Sequence, residues 1–176
     1  FSAASAWVGI SDLAEWYRFH LKDGVPQNYA RMILKSLTDK PGTSEEIDVQ
    51  YRDRSPLFWI DNATELPLDL NAGVTDGQTG SVPFAHTINA FNVLAKKNQT
   101  APVTEAEIEQ LWNQGTLTNP QASDQETDET YGREIHLRRK SGNARVTIFQ
   151  GGHEGLPEPA CEWLSKRSRD TSGFGK

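Results

Sequence analysis

Two apolar segments, each ending in glycine, constrain the fold of this chain most strongly. "LPLDLNAG" spans residues 66–73 and "ARVTIFQGG" spans residues 144–152, and the apolar content of both is typical of buried strands. Between them lie two helical patterns, over residues 84–97 and 102–112. Strands that alternate with helices along a chain favour a parallel sheet covered by helices. The sequence therefore predicts an α/β fold.

Further elements are predicted on both sides of this pattern. "AWVGI" at 6–10 is expected to be a strand, and residues 133–139 and 144–149 alternate around Lys-Ser-Gly-Asn as the arms of a β-hairpin do. Helical patterns predict three helices between the first strand and residue 66, over 13–21, 26–37 and 44–54. A fourth is predicted over 160–166, after the last strand. With no linker and no repeat, residues 1–176 are expected to form one domain.

Helix ends and helix faces carry local signals. Thr43 with Glu46, and Thr104 with Glu107, have the spacing of a capping box. The helix over 84–97 has an apolar stripe, which consists of Phe84, Ile88, Phe91 and Ala95. Outside the helices, residues 115–130 are predicted to be an exposed acidic loop, residues 167–176 a frayed tail, and Arg138 to Lys140 a solvated hairpin end.

Composition excludes several classes of function. The formal net charge of −6 and pI of about 5.2 argue against a protein that binds nucleic acid by neutralising phosphates. No apolar stretch approaches the ~20 residues that span a bilayer. Cys161 is the single cysteine, so an internal disulfide and a cysteine-rich zinc site are excluded. No histidines or carboxylates have a spacing that predicts a metal site, and we expect no cofactor.

Asp76 and His153 follow the two predicted central strands and lie in glycine-rich turns. The carboxyl ends of parallel strands meet at one edge of a sheet, where ligands bind in open α/β folds. A carboxylate beside an imidazole fixes the tautomer of the ring and stabilises the imidazolium that forms when Nε2 takes a proton from a nucleophile. We therefore predict Asp76 and His153 as a catalytic pair, against the alternative that both are structural turn residues.

The other polar candidates carry weaker signals. Asp69 lies inside a predicted strand and is interpreted as structural, with a catalytic acid as the minor alternative. His86 is predicted on a helix surface, with a place at the active-site rim as the minor alternative. Glu154 is predicted to cap the last helix rather than to bind substrate. His20 and His136 have no site context.

Taken in chain order, these motifs resemble the C-terminal half of an α/β-hydrolase, and within that fold the prolyl-oligopeptidase-like serine hydrolases, which include S9 peptidases and esterases. "NAGVTDGQTGSVPFAHTINAFN" resembles the segment that presents the catalytic acid, and "IFQGGHEGL" resembles the turn that presents the histidine. "AWVGISDL" and "YRDRSPL" resemble connecting segments of the same half. The resemblance implies that Asp76 is the acid and His153 the base of a Ser-Asp-His triad acting on an ester or a peptide.

The chain departs from the family in one respect. The nucleophile of this fold sits in Gly-x-Ser-x-Gly before the acid, and the chain has no such motif. We therefore expect that Phe1 follows a cut end, that the isolated chain has no hydrolase turnover, and that an exposed sheet edge causes self-association or binds a partner chain. A degenerate, non-catalytic binding protein is the alternative.

Overall fold

The computed structural model describes residues 2–168, which form a four-stranded sheet with helices around it. The strands of this sheet are β1 (Ala4–Trp7), β4 (Leu68–Gly73), β5 (Ile135–Ser141) and β6 (Ala144–Phe149). Their order across the sheet is β1-β4-β6-β5. Two short strands form a separate hairpin, namely β2 (Leu21–Lys22) and β3 (Val25–Pro26).

Six α-helices are described, and most lie where the sequence predicts them. They are α1 (Leu13–Phe19), α2 (Asn28–Leu37), α3 (Glu45–Asp53), α4 (Ala85–Lys97), α5 (Glu105–Gln114) and α6 (Pro157–Ser165). The capping box of Thr104 and Glu107 is confirmed at the start of α5. Asp12 caps α1, because its Oδ1 accepts hydrogen bonds from the amides of Ala14 and Glu15.

The strand directions confirm the predicted α/β class with a mostly parallel sheet. Strands β1, β4 and β6 are parallel, and β5 pairs antiparallel with β6 as the first arm of the predicted hairpin. The register pairs Leu68 with Ala144 and Gly73 with Phe149. Since β4 and β6 end level with each other, the loops that follow them start side by side.

The main core lies between the sheet and α4. All four residues of the predicted stripe of α4 are buried in it, together with apolar side chains of β4 and β6. A second, smaller core lies within the segment from α1 to α3, residues 13–53, which we name the insertion because it separates β1 from β4. Its buried members are Tyr17, Ala30, Ile33, Leu37, Ile47 and Tyr51.

Two local predictions are wrong. The first strand spans Ala4–Trp7 rather than 6–10, because Val8 has φ +49 and leaves the extended conformation. The cap of α3 is Ser44, not Thr43: Ser44 is extended and its hydroxyl accepts from the amide of Ile47. The hydroxyl of Thr43 instead donates to the carbonyl of Lys40.

The predicted solvated hairpin end is confirmed for Lys140, which is exposed, and is wrong for the two arginines. Arg138 and Arg139 are buried in β5, where acidic side chains neutralise them. Arg139 pairs with Asp124 and with Glu107, and Arg138 pairs with Asp128 at 3.1 Å. Asp124 comes from the segment predicted as an exposed loop; most of residues 115–130 are exposed, but Asp124 and Leu117 are buried.

Two further observations complete the fold. The tail predicted over 167–176 lies, from residue 169 on, outside the described residues. Across residues 2–168, no helix has the length and apolarity needed to cross a membrane.

Candidate active site

The loops after β4 and β6 are tied together by backbone hydrogen bonds. The amide of Val74 donates to the carbonyl of Phe149 at 2.8 Å, and the amide of Thr75 donates to the carbonyl of Gly151 at 3.0 Å. The Thr75 hydroxyl also donates to the Gly151 carbonyl, at 2.9 Å. A Cβ on Gly73 would overlap the backbone of Gly151, so only glycine permits this approach. The two loops therefore form one rigid platform.

This platform brings Asp76 and His153 together. The imidazole Nδ1 of His153 lies 2.9 Å from Oδ2 of Asp76, although the residues are 77 positions apart. Asp76 is fully buried, whereas the side chain of His153 is 40% exposed. A buried acceptor and a half-exposed ring give the pair one shielded end and one end that solvent or a ligand reaches.

Backbone amides fix the second oxygen of Asp76. Its Oδ1 accepts from the amide of Gly77 at 3.0 Å and from the amide of Val82 at 3.3 Å. Since an ionised carboxylate only accepts hydrogen bonds, Nδ1 of His153 is the donor in the pair. Nε2 then carries the lone pair and is able to accept a proton.

A glycine allows the loop to close over the pair. A Cβ on Gly80 would overlap both Oδ1 of Asp76 and Cβ of His153. The loop from 77 to 82 therefore passes directly against the hydrogen-bonded groups, and the absence of a side chain at residue 80 is what permits it.

The insertion holds this loop from the other side. The indole Nε1 of Trp16 and the imidazole Nε2 of His20 both lie against the carbonyl of Ser81, at 2.7 and 2.8 Å. Because a carbonyl accepts only, both nitrogens donate. The N–H of the same Ser81-Val82 peptide donates to Asp76. One peptide unit thus links the insertion to the carboxylate.

An open cleft of about 460 Å³ borders His153. It is lined by Gln27, Asn28 and Tyr29 at the start of α2, by His20, by residues 79–81 of the loop, and by His153 itself. His20 had no site context in the sequence, so its place in the lining of this cleft is a finding. No local signal in the sequence reports it, since the contact depends on how the insertion packs on the loop.

Asp69 is structural, as interpreted from the sequence. It is fully buried in β4 and accepts from Arg145 Nε at 2.8 Å, from the Ser5 hydroxyl at 3.0 Å and from the Asn71 amide at 2.9 Å. It belongs to a polar network inside the sheet, while His153 takes Asp76 as its partner.

The prediction that Glu154 caps the last helix is wrong. Helix α6 starts after Leu156 without a side-chain cap and with Pro157 in its first turn. Glu154 instead forms an ion pair with Arg133 at 2.7 Å. This pair ties the loop after β6 to the segment before β5.

His86 is buried, not on a helix surface as predicted. Its Nδ1 lies 3.3 Å from the Ser11 hydroxyl and 3.4 Å from the amide of Asp12. Since the amide of Asp12 donates, Nδ1 accepts and the proton sits on Nε2, which has no partner among the described residues. Burial lowers the pKa of His86 from 6.5 to about 4.

The pKa of His86 predicts a pH dependence of stability. Below its ordinary pKa of 6.5 the unfolded chain protonates His86 while the folded chain, with a pKa of about 4, does not. Stability therefore falls as the pH drops from 6.5 to 4, by about 3 kcal/mol from this group, at ~1.36 kcal/mol per pKa unit.

Denaturant unfolding at pH 7, 5.5 and 4.5 measures the loss. The variant His86→Asn, which keeps an acceptor near Nδ1, is expected to lose less stability over the same range; an identical loss in both proteins would contradict this origin.

Across residues 2–168, no group of three or more histidine, cysteine or acidic side chains is placed to hold a metal ion. Comparisons with protein-family models, curated proteins and solved structures find no match for this chain. A function for this chain is therefore inferred from the geometry of Asp76, His153 and the cleft beside them.

Proposed function

We propose that this chain supplies the acid and the base of a serine hydrolase that transfers an acyl group from an ester or a peptide to water. The observation that carries the proposal is the 2.9 Å contact between Asp76 and His153 at the ends of neighbouring parallel strands. It has the length expected of a general base and the group that orients it.

The roles follow from the geometry of the pair. In the first step a serine Oγ attacks the substrate carbonyl and its proton passes to Nε2 of His153. The imidazolium returns this proton to the leaving alcohol or amine, and an acyl-serine remains. Water then attacks the acyl group, with His153 again accepting and returning the proton. Asp76 stays ionised, holds Nδ1–H and stabilises the imidazolium.

The order of elements supports a finer proposal for the fold. Strand β4, Asp76, helix α4, strand β6, His153 and helix α6 follow one another as they do in the C-terminal portion of an α/β-hydrolase of the prolyl-oligopeptidase-like family. The antiparallel β5 comes before β6 as an added hairpin arm. In this proposal β1 is the strand that precedes the insertion over the active site.

The serine and the oxyanion donors are proposed to lie outside this sequence. The chain has no Gly-x-Ser-x-Gly motif, and the imidazole of His153 makes no hydrogen bond to a hydroxyl among the described residues. In this fold the nucleophile precedes the acid in the chain, so we place it on a segment that comes before Phe1.

The test is to sequence the transcript from its 5′ end and to express the complete polypeptide that it encodes. We expect an in-frame Gly-x-Ser-x-Gly, labelling of its serine by a fluorophosphonate, and hydrolysis of triacetin that is lost in His153→Ala. Triacetin is used because its unactivated esters do not react with a free imidazole.

Two outcomes would contradict the proposal. If the complete polypeptide has no such serine and does not hydrolyse triacetin, the chain belongs to a non-catalytic binding protein that kept the pair. If the 176-residue chain alone cleaves triacetin and His153→Ala abolishes this turnover, the nucleophile lies within the chain and its proposed position is wrong.

A further inference from the structure

The cleft beside His153 has a lining whose chemistry points to one class of ligand. We propose that it binds a neutral sugar unit, so that the ester cleaved at this site is carried by a carbohydrate. The identity of the cleaved bond rests on the proposed function, whereas the binding itself does not.

Tyr29 gives the cleft an exposed aromatic wall. Tyr29 is 37% exposed and packs at 4.8 Å from the ring of His20 and 5.2 Å from the ring of Trp16. The rings of His20 and Trp16 are themselves held by the Ser81 carbonyl. Because these contacts hold the Tyr29 ring in place, little side-chain entropy is lost when a ligand stacks on it. The face of an aromatic ring has a negative electrostatic potential, which attracts the C–H bonds of a sugar face.

Neutral polar side chains also line the cleft. Gln27, Asn28 and Thr79 each combine donor and acceptor capacity in one neutral side chain. The amide nitrogen of Gln27 donates to the carbonyl of Val25, which leaves its oxygen as an acceptor. Hydroxyl groups need both a donor and an acceptor, so this set suits a polyhydroxylated ligand.

Charged side chains are absent from the lining of the cleft, as far as the described residues show. No lysine, arginine, aspartate or glutamate is among the residues that line it. A ligand with a charged group would lose water there without gaining a side chain of opposite charge. This lining therefore favours a neutral ligand.

The position of the cleft relative to the strands favours sugars over neutral peptides. An extended peptide gains much of its affinity by pairing its main chain with the edge of a strand. The residues that line the cleft lie at the end of α1, at the start of α2 and in the loops after β4 and β6, and none lies in a strand. The cleft therefore lacks the ladder of backbone groups that a peptide would use.

The test is a binding titration of the 15N-labelled 176-residue chain, followed by amide chemical shifts. The probes are xylotetraose, mannotetraose and maltotetraose, with acetyl-tetraalanine amide as a neutral peptide. We expect at least one tetrasaccharide to cause saturable shifts at residues 27–29 and 79–81, and the peptide to cause none. Tyr29→Ala is expected to raise the Kd by about tenfold or more.

The matched control is Phe58→Ala. Phe58 is an exposed aromatic, 47% exposed, and it does not line the cleft, so its removal should leave the Kd unchanged. Saturable shifts caused by the peptide, or no saturable binding by any of the three tetrasaccharides, would overturn the inference.

The same samples distinguish a failure of this inference from a failure of the proposed function. The imidazole 15N shifts of His153 report whether Nδ1 carries the proton. If a sugar binds but Nδ1 does not carry the proton, the sugar site is supported and the catalytic pair is contradicted. If Nδ1 carries the proton but no sugar binds, the catalytic pair is supported and the sugar site is contradicted.

Discussion

The variant Asp76→Asn is expected to lower the turnover number of the complete hydrolase by about 10⁴-fold, the size of effect that follows from a wrong histidine tautomer in a triad. An asparagine amide is able to donate to Nδ1 of His153, which then becomes the acceptor. Nε2 would carry the proton and could no longer take one from the serine. The ring would stay in place, so the loss would fall on the turnover number more than on the KM.

The tautomer itself is measurable in the 176-residue chain without any turnover. The imidazole 15N spectrum of His153 should show a protonated Nδ1 in the parent chain and a protonated Nε2 in Asp76→Asn. The matched control is Asp69→Asn, the same exchange at a fully buried aspartate of the preceding strand. That variant should leave the His153 tautomer unchanged. A protonated Nδ1 that persists in Asp76→Asn would contradict the assigned direction of the hydrogen bond.

The variant Asp69→Ala is expected to lower the free energy of unfolding by about 3–5 kcal/mol, because it leaves a largely buried guanidinium without its partner. Arg145 lies opposite Asp69 in the register of β4 and β6, and its side chain is 15% exposed. The hydrogen bond to Asp69 raises the pKa of Arg145 against the effect of burial, so the arginine stays charged. Ser5 and Asn71 would lose their acceptor as well.

Denaturant unfolding at neutral pH measures this loss. The control is Asp61→Ala, which removes an exposed ion pair of 3.8 Å with Lys97 and should change stability by at most ~1 kcal/mol. A second variant, Asp69→Ala with Arg145→Met, removes both charges and should recover part of the loss. Equal destabilisation by Asp69→Ala and Asp61→Ala would show that the buried pair contributes nothing beyond a surface one.

The sequence predicted the helices and the positions of Asp76 and His153 because these depend on short-range patterns. A stripe such as Phe84, Ile88 and Phe91 reports the face that a helix buries, whatever the helix packs against. Asp76 and His153 were predicted to lie together because both follow strands and lie in glycine-rich turns. Parallel strands bring such turns to the same edge.

The remaining features depend on contacts between distant segments. Arg138 and Arg139 look like surface residues in the sequence, and they are buried only because Asp124 and Asp128 reach them from the preceding segment. His86 sits in a helix pattern that fits a surface residue, and it is buried because Ser11 and the amide of Asp12 cover it. Such burial of polar groups is permitted by partners that local patterns do not reveal.

The two outer strands of the sheet, β1 and β5, differ in how their outer sides are covered. Along β5, the carboxylate of Asp124 accepts from the amide of Arg138 at 2.8 Å, and the 3₁₀ helix Ala122–Gln125 packs against the strand. Across the sheet, β1 pairs only with β4 within the described residues and keeps its outer side open. Within the described residues, β1 is therefore the side of the sheet at which a further strand could pair. On the β5 side, the aspartate that neutralises Arg139 already accepts from the amide of Arg138.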